Sequence, residues 1–306
     1  TASGSVNIST TSNDIVLAGN IVTTGAANNA GTGGAGGQVD IATLTSGAVT
    51  VGNITSSGGA STGGTNTGGA AGAINVTSTG TTKDVTLNGT LTALGGAGTT
   101  PGATGTVTLT ATGAIVDGNG ATVDVAAGNL NAVSATGVGT GGNALLETTI
   151  TNLDVQNSTS GVIGVTDSQA LNVVRVTQAG AGAVNLGTSA GGITIAATGA
   201  TPAGSGIVST GAGTVTLNPF TTLDINNVIT TNGGNVVVSG GTGAINSTSA
   251  GVITTTATTN TSTASGSVNI STTSNDIVLA GDIVTTGAAN STGTGGAGGQ
   301  VDVATL

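Results

Sequence analysis

The first 44 residues of this 306-residue chain return at its end. The segments 1–44 and 263–306 match at 40 of 44 positions, which sets a period of 262 residues. The four exchanges are Asn20 against Asp282, Asn29 against Ser291, Ala30 against Thr292 and Ile41 against Val303. Three are polar or small swaps in turn-like or Gly-rich stretches, and the fourth removes one methylene from an apolar site. So long a period, kept so faithfully, predicts a tandem array whose unit is itself a sizeable folded block. One full block covers 1–262, regular over 1–111 and less regular over 112–262, and 263–306 opens the next. The pattern is entered and left mid-course, as expected of an interior stretch of a longer array.

A finer repeat runs inside the long one. SVNI at 5–8, QVDI at 38–41, AINV at 73–76 and TVTL at 106–109 open successive segments. In the first three, a second strand-like run follows (DIVL at 14, AVTV at 48, DVTL at 84). A third comes after a short polar turn (NIVTTG at 20, NITSSG at 53, TLTALG at 90). Gly-rich stretches at 25–37, 58–72 and 95–105 close each unit. Further on, TVTL at 214–217 leads through TTLDI and NVITTNGG to NVVVS at 235 with no such stretch. The comparison separates a basic coil of about 21 or 22 residues from an optional insertion of about a dozen at one corner.

Three short strands per coil, with alternating side chains and turns of Gly, Asn, Asp or Ser, specify an all-β fold, a right-handed parallel β-helix or β-solenoid. Stacking coils about 4.8 Å apart puts inward residues in columns. Val6, Val39, Ile74 and Val107 share one column, and Ile8, Ile41, Val76 and Leu109 the next on the same wall. Ile15, Val49 and Val85, then Leu17, Val51 and Leu87, line a second wall, and Ile21, Ile54 and Leu91 begin the third. Each contributes about 1.5–3 kcal/mol on burial. Outward partners Asn7, Asp40, Asn75 and Thr108 form a polar ladder in which Asp40 meets only neutral neighbours. From 114 to 212 the strand-like runs TVDV, LDV, LNVVRV, AVNL and ITIA persist at variable spacing. The solenoid is expected to continue through them, for about ten coils and roughly 50 Å of axis per block.

Composition narrows the function classes. Gly contributes 58 residues, charged residues make up 5 %, and Phe220 is the one aromatic. Such bias suits a disordered tail, but β-branched residues and Leu in short alternating runs are strand grammar. Lys83 and Arg175 stand against twelve acids, a net charge of −10. That balance cannot neutralise phosphates, so nucleic acid is excluded as a partner and an anionic membrane is a poor one. With no Cys there is no disulfide framework and no thiolate metal site, which is compatible with export. No apolar run approaches the roughly 18 residues of a membrane span. A secretion signal is expected to lie outside these residues.

The chain offers little chemistry. His is absent, and Glu147 has no acidic neighbour nearer in sequence than Asp154. Arg175 near Asp167 is the one cation beside an acid in the middle segment, and it reads as a surface ion pair. GGAGGQVDI at 33–41 resembles a calcium-binding nonapeptide, but Gln38 stands where Asp is required and Asp40 falls two places late. The outward positions mix Asn, Asp, Val, Thr and Ser instead of repeating Thr, which does not favour ice binding. Asn7, Asn53, Asn75, Asn88, Asn157, Asn246, Asn260, Asn269 and Asn290 head N-x-S/T sequons, a pattern that Asn, Ser and Thr abundance produces by itself. The Gly-rich insertions read either as mobile decoration or as a periodic lateral contact ridge. No catalytic, cofactor-binding or metal-binding residue is assigned, and no cofactor is expected.

DIVLAGNIVTTGA, AVTVGNITSSGG, GAVNLGTSAGGITIAATGA and TLDINNVITTNGGNVVV resemble, in style and over the whole chain, the coils of filamentous-haemagglutinin-type adhesins and giant β-strand-repeat surface proteins of bacteria. The resemblance implies secretion to the cell exterior, a long parallel β-helix, and adhesion or matrix building, and it carries over no functional residue. The expectation is a non-enzymatic structural or adhesive extracellular filament whose partners are copies of itself or adjacent blocks along a fibre. The alternative is a binding module whose insertions contact a glycan or a host or neighbouring-cell surface. A carbohydrate-active β-helix ranks below both.

Overall fold

The computed structural model describes residues 1–64, 66–257, 263–291 and 293–306. The sequon at Asn260, the block boundary at 262 and the exchange at Thr292 lie outside the described residues. The fold is an all-β parallel β-helix, and the chain divides into two compact units, Thr1–Asn152 and Leu153–Leu306.

In the first unit, three columns of strands rise side by side. One holds Val6–Ser12, Val39–Ser46, Ile74–Thr77, Thr106–Thr110 and Asn129–Ser134. The second holds Ile15–Leu17, Val49–Val51, Val85–Leu87, Ile115–Asp117 and Val138–Gly141. The third holds Ile21–Val22, Ile54–Thr55, Leu91–Ala93, Val125–Ala127 and Leu146–Thr149. Each strand pairs in parallel with the one a full coil away. The columns named from the sequence are observed: Val6 faces Val39, Val39 faces Ile74, and Ile74 faces Val107. Ile15, Val49 and Val85 align likewise, as do Ile21, Ile54 and Leu91. Val39, Ile74 and Val107 are 0 % exposed, because alternation sends every second side chain inward, where the coils above and below close over it.

The second unit follows the same rule from a different start. Ile163–Asp167, Val184–Thr188, Val215–Asn218, Val236–Ser239, Val268–Thr272 and Val301–Thr305 form one column. The eight-residue strand Leu171–Gln178 serves two others: Leu171 to Val173 pair with Ile193–Ile195, and Arg175 to Gln178 pair with Gly206–Ser209. The irregular middle is therefore solenoid throughout. Coil length varies by insertion: Val215 pairs with Val236, 21 residues on, whereas Val268 pairs with Val301, 33 residues on.

Outside the core, charges are kept apart. Asp40 stands between Asn7 and Asn75 and accepts a 2.7 Å hydrogen bond from Asn75 Nδ2. In the second unit Asn246 Nδ2 donates to Asp224 at 3.0 Å across the same kind of step. Stacked like charges would be unfavourable, and an amide between carboxylates removes that cost.

The Gly-rich insertions are not loose decoration. They stack into a layer of their own, stitched by a zigzag of backbone bonds: Gly102 N–H to Gly96 O, Gly96 to Gly69, Gly69 to Gly59, Gly59 to Gly34 and Gly34 to Ala26, each 2.8–2.9 Å. Links within one insertion alternate with links to the next coil, which needs backbones closer than side chains permit. A Cβ on Gly59 would lie 2.1 Å from Ala26 O, and one on Gly96 would lie 2.0 Å from Gly59 O. Gly59→Ala and Gly96→Ala are each expected to destabilise by about 1–3 kcal/mol. Gly19→Ala, with nothing within 4 Å of its Cβ, is expected to stay within about 1 kcal/mol of the parent. Urea unfolding followed by circular dichroism, in a chain with neither Trp nor Tyr, measures the difference.

Candidate functional site

The first unit buries small polar residues such as Thr43, Ser56, Ser78 and Ser134, and at one place it buries acids. Asp117 ends the strand Ile115–Asp117 and stands in register with Leu87, in the column of Leu17 and Val51. It is 1 % exposed. The chain then turns through Gly118, Asn119 and Gly120, and Asp117 Oδ1 accepts the Asn119 and Gly120 N–H groups at 2.9 Å each. Gly120, with φ +67°, supplies the left-handed residue of that turn. The turn delivers Asp124, 0 % exposed, to the start of Val125–Ala127.

One coil further on, Glu147 stands beside Asp124, because Val125 pairs with Thr148. Glu147 N–H donates to Asp124 Oδ2 at 3.0 Å, and Asn143 Nδ2 donates to Glu147 Oε1. A Cβ on Gly142 would lie 2.0 Å from Asp117 Oδ2, so the second loop closes over the first carboxylate only because that residue is glycine. One oxygen from each of Asp117, Asp124 and Glu147 lies within 4.8 Å of the others. Asp124 Oδ1, Glu147 Oε2 and both side-chain polar atoms of Asn119 are buried without a hydrogen-bond partner.

Burial dominates the electrostatics. It pushes the Asp124 carboxyl from 3.8 up to about 8, the Glu147 N–H bond opposes this, and the charges of Asp117 and Glu147 add to it. Two carboxyl groups this close, one protonated, suggest the acid–base pair of a glycosidase. The cluster does not suit that work, since Asp117 and Asp124 are closed to solvent and a sugar ring could not reach them. Free, hard carboxylate oxygens are instead the donors that divalent cations take.

Sequence distance hid this cluster. The acid nearest Glu147 in sequence is Asp154, seven residues away, whereas its acidic neighbours in space are Asp124, 23 residues away across a coil, and Asp117. The readable signal was an Asp in the register of Leu17, Val51 and Leu87, followed by a Gly-Asn-Gly turn.

The other sequence candidates are placed elsewhere. Arg175 does not pair with Asp167. Its Nε and Nη2 reach Asp154 Oδ1 and Oδ2 at 2.8 and 2.7 Å, one coil back, and both side chains are partly exposed. The surface ion pair is therefore present with a different acid. Asp40, in the nonapeptide-like stretch, has both oxygens taken by Gln38 Nε2 at 2.8–2.9 Å, and the Asn75 amide adds a further bond to Oδ1. In the second unit a depression of about 250 Å³ is lined by outward residues including Val208, Thr210, Thr230 and Thr254, none of them titratable. Among the described residues no helix is long and apolar enough to cross a membrane.

The Asp124 shift has a sign. A carboxyl whose pKa is raised on folding binds its proton more tightly in the native state, so stability is full below about pH 4 and falls as pH rises toward 8. With divalent cations chelated, the loss over that window is expected to be on the order of 5 kcal/mol. Melting temperature measured against pH should show the decline, and Asp124→Asn should flatten it.

Compared with known protein families, curated proteins and solved structures, the chain matches none.

Proposed function

We propose that this chain serves as a non-enzymatic structural or adhesive filament outside the cell, built from tandem β-solenoid blocks stacked through the backbone ladder that joins their coils. The observation that carries this reading is that the 262-residue repeat is kept in the ladder itself: Val268 pairs with Val301 and Ile270 with Val303 in the second unit, as Val6 pairs with Val39 and Ile8 with Ile41 in the first. The second copy is joined to the coil before it by the same parallel pairing, Val236 to Val268. Blocks that follow one another in this way extend a single ladder. The style of the coils, which resembles that of filamentous-haemagglutinin-type adhesins, supports secretion and a fibrous role.

The second reading is a binding module, and the outer edge of the glycine layer favours it. Thr62 Oγ1 bonds Asn29 Oδ1 at 2.9 Å, and Asn28 bridges to Ser61, so the insertion tips present a row of small polar groups from successive coils. A periodic row of hydroxyls and amides suits a glycan or a partner surface.

Electron microscopy of the native assembly separates these readings: thin fibres whose axial features recur at roughly 50 Å are expected. Native particles without that repeat would defeat the stacking reading. Turnover of any polysaccharide would defeat the non-enzymatic one. Under the second reading, saturable glycan binding disappears when residues 25–37, 58–72 and 95–105 are together shortened to Asn-Gly-Gly turns.

A further inference from the structure

We propose that Asp117, Asp124 and Glu147 form a buried site for one divalent cation of the calcium class, which joins two successive coils of the first unit. Three observations converge. The acids come from both sides of a coil step, with one oxygen of each within 4.8 Å of the others. Oxygens that share one cation at about 2.4 Å can be no more than about 4.8 Å apart, so the three meet that condition. Asp124 is 0 % exposed, and its Oδ1 is a buried acceptor with no hydrogen-bond partner. Glu147 Oε2 is in the same state. Asn119, on the turn between Asp117 and Asp124, adds a buried, unpartnered amide oxygen.

The donor set defines the ion. All candidate ligands are oxygens, and the chain has neither His nor Cys, so the thiolate and imidazole sites of zinc or copper do not arise. Magnesium binds at about 2.1 Å, requires near-ideal octahedral geometry and keeps most of its waters. Largely buried carboxylates, which take the place of waters on the ion, fit the larger, more tolerant ion better. The cation would replace the solvation that Asp117 and Asp124 lose on burial. The half-buried Glu147 and the exposed loop at 141–144 leave a way in.

Calorimetric titration of the chelator-stripped 306-residue chain with calcium chloride tests the site, alongside melting by circular dichroism. One ion per chain is expected, with a dissociation constant on the order of 10⁻⁴ M or tighter, and calcium should raise the melting temperature. Asp124→Asn and Glu147→Gln should each weaken binding at least tenfold. Asp282→Asn, an exposed acid whose counterpart in the first copy is already Asn20, should leave binding unchanged. If Asp124→Asn does not fold, Glu147→Gln at the half-buried ligand decides. No heat and no melting shift at about 10 mM calcium, well above the weakest extracellular sites, overturns the proposal. So does undiminished binding by the folded carboxylate variants, which places the ion elsewhere on the acidic surface. Equal stabilisation by magnesium overturns the choice of ion.

Discussion

Everything in both units depends on the parallel backbone ladder that joins each strand to the one a coil away. The ladder holds register: Val6 meets Val39, Asn7 meets Asp40, Ile8 meets Ile41, residue against residue. Register makes each inward position a column and each outward position a row. A residue's environment is thus set by its equivalents in the adjoining coils more than by its neighbours in sequence. An aliphatic residue then needs only aliphatic equivalents to be buried, which explains how a chain with one aromatic residue and no disulfide builds a core. An Asp needs an equivalent that is neutral or basic, and Asp40 with Asn75, Asp224 with Asn246, and Asp154 with Arg175 each meet that condition.

The same constraint explains the glycines. An insertion that repeats at the same corner of successive coils must itself stack, and its backbone N–H and C=O groups must be paired once buried. Gly59 donates to Gly34 and Gly69 donates to Gly59 at distances that leave no room for a Cβ. Glycine carries the largest entropic cost of ordering, so a glycine-rich segment is ordinarily taken for a flexible one. Here that cost is offset by a bond network that only glycine can approach closely enough to make. The repeated copy keeps the device, with Gly296 N–H donating to Ala288 O at 2.8 Å as Gly34 does to Ala26.

Legibility follows from the same geometry. The columns Val6–Val39–Ile74–Val107 and Ile15–Val49–Val85 could be named in advance because alternation and spacing are properties of the sequence itself. The packing of the insertions could not, since flexible and stacked glycines look alike until their hydrogen bonds are known. The partner of Arg175 is hidden for a different reason: Asp167 is eight residues away in sequence, yet Asp154, 21 residues away, is one coil away in space. The acidic neighbours of Glu147 are hidden in the same way. In a solenoid, partners lie at positions one coil apart.

Two sets of acids show the contrast that this geometry allows. Asp40, Asp154 and Asp224 face an amide or a guanidinium from the adjoining coil, an arrangement that a surface ladder reaches with no ligand. Asp117, Asp124 and Glu147 face one another, two of them closed to solvent, with backbone N–H groups on Asp117 Oδ1 and Asp124 Oδ2 and the Asn143 side-chain amide on Glu147 Oε1. Asp117 has a place in the fold as the acceptor that caps the turn through Asn119 and Gly120, but that turn does not account for the unpartnered oxygens of Asp124 and Glu147. Protonation of Asp124 offsets part of the cost of gathering the three acids, and a cation would offset the rest, since neither of the chain's two basic side chains is there to do so: Arg175 is paired with Asp154, and Lys83 lies by a surface depression lined by Ser12, Asn13 and Asp14.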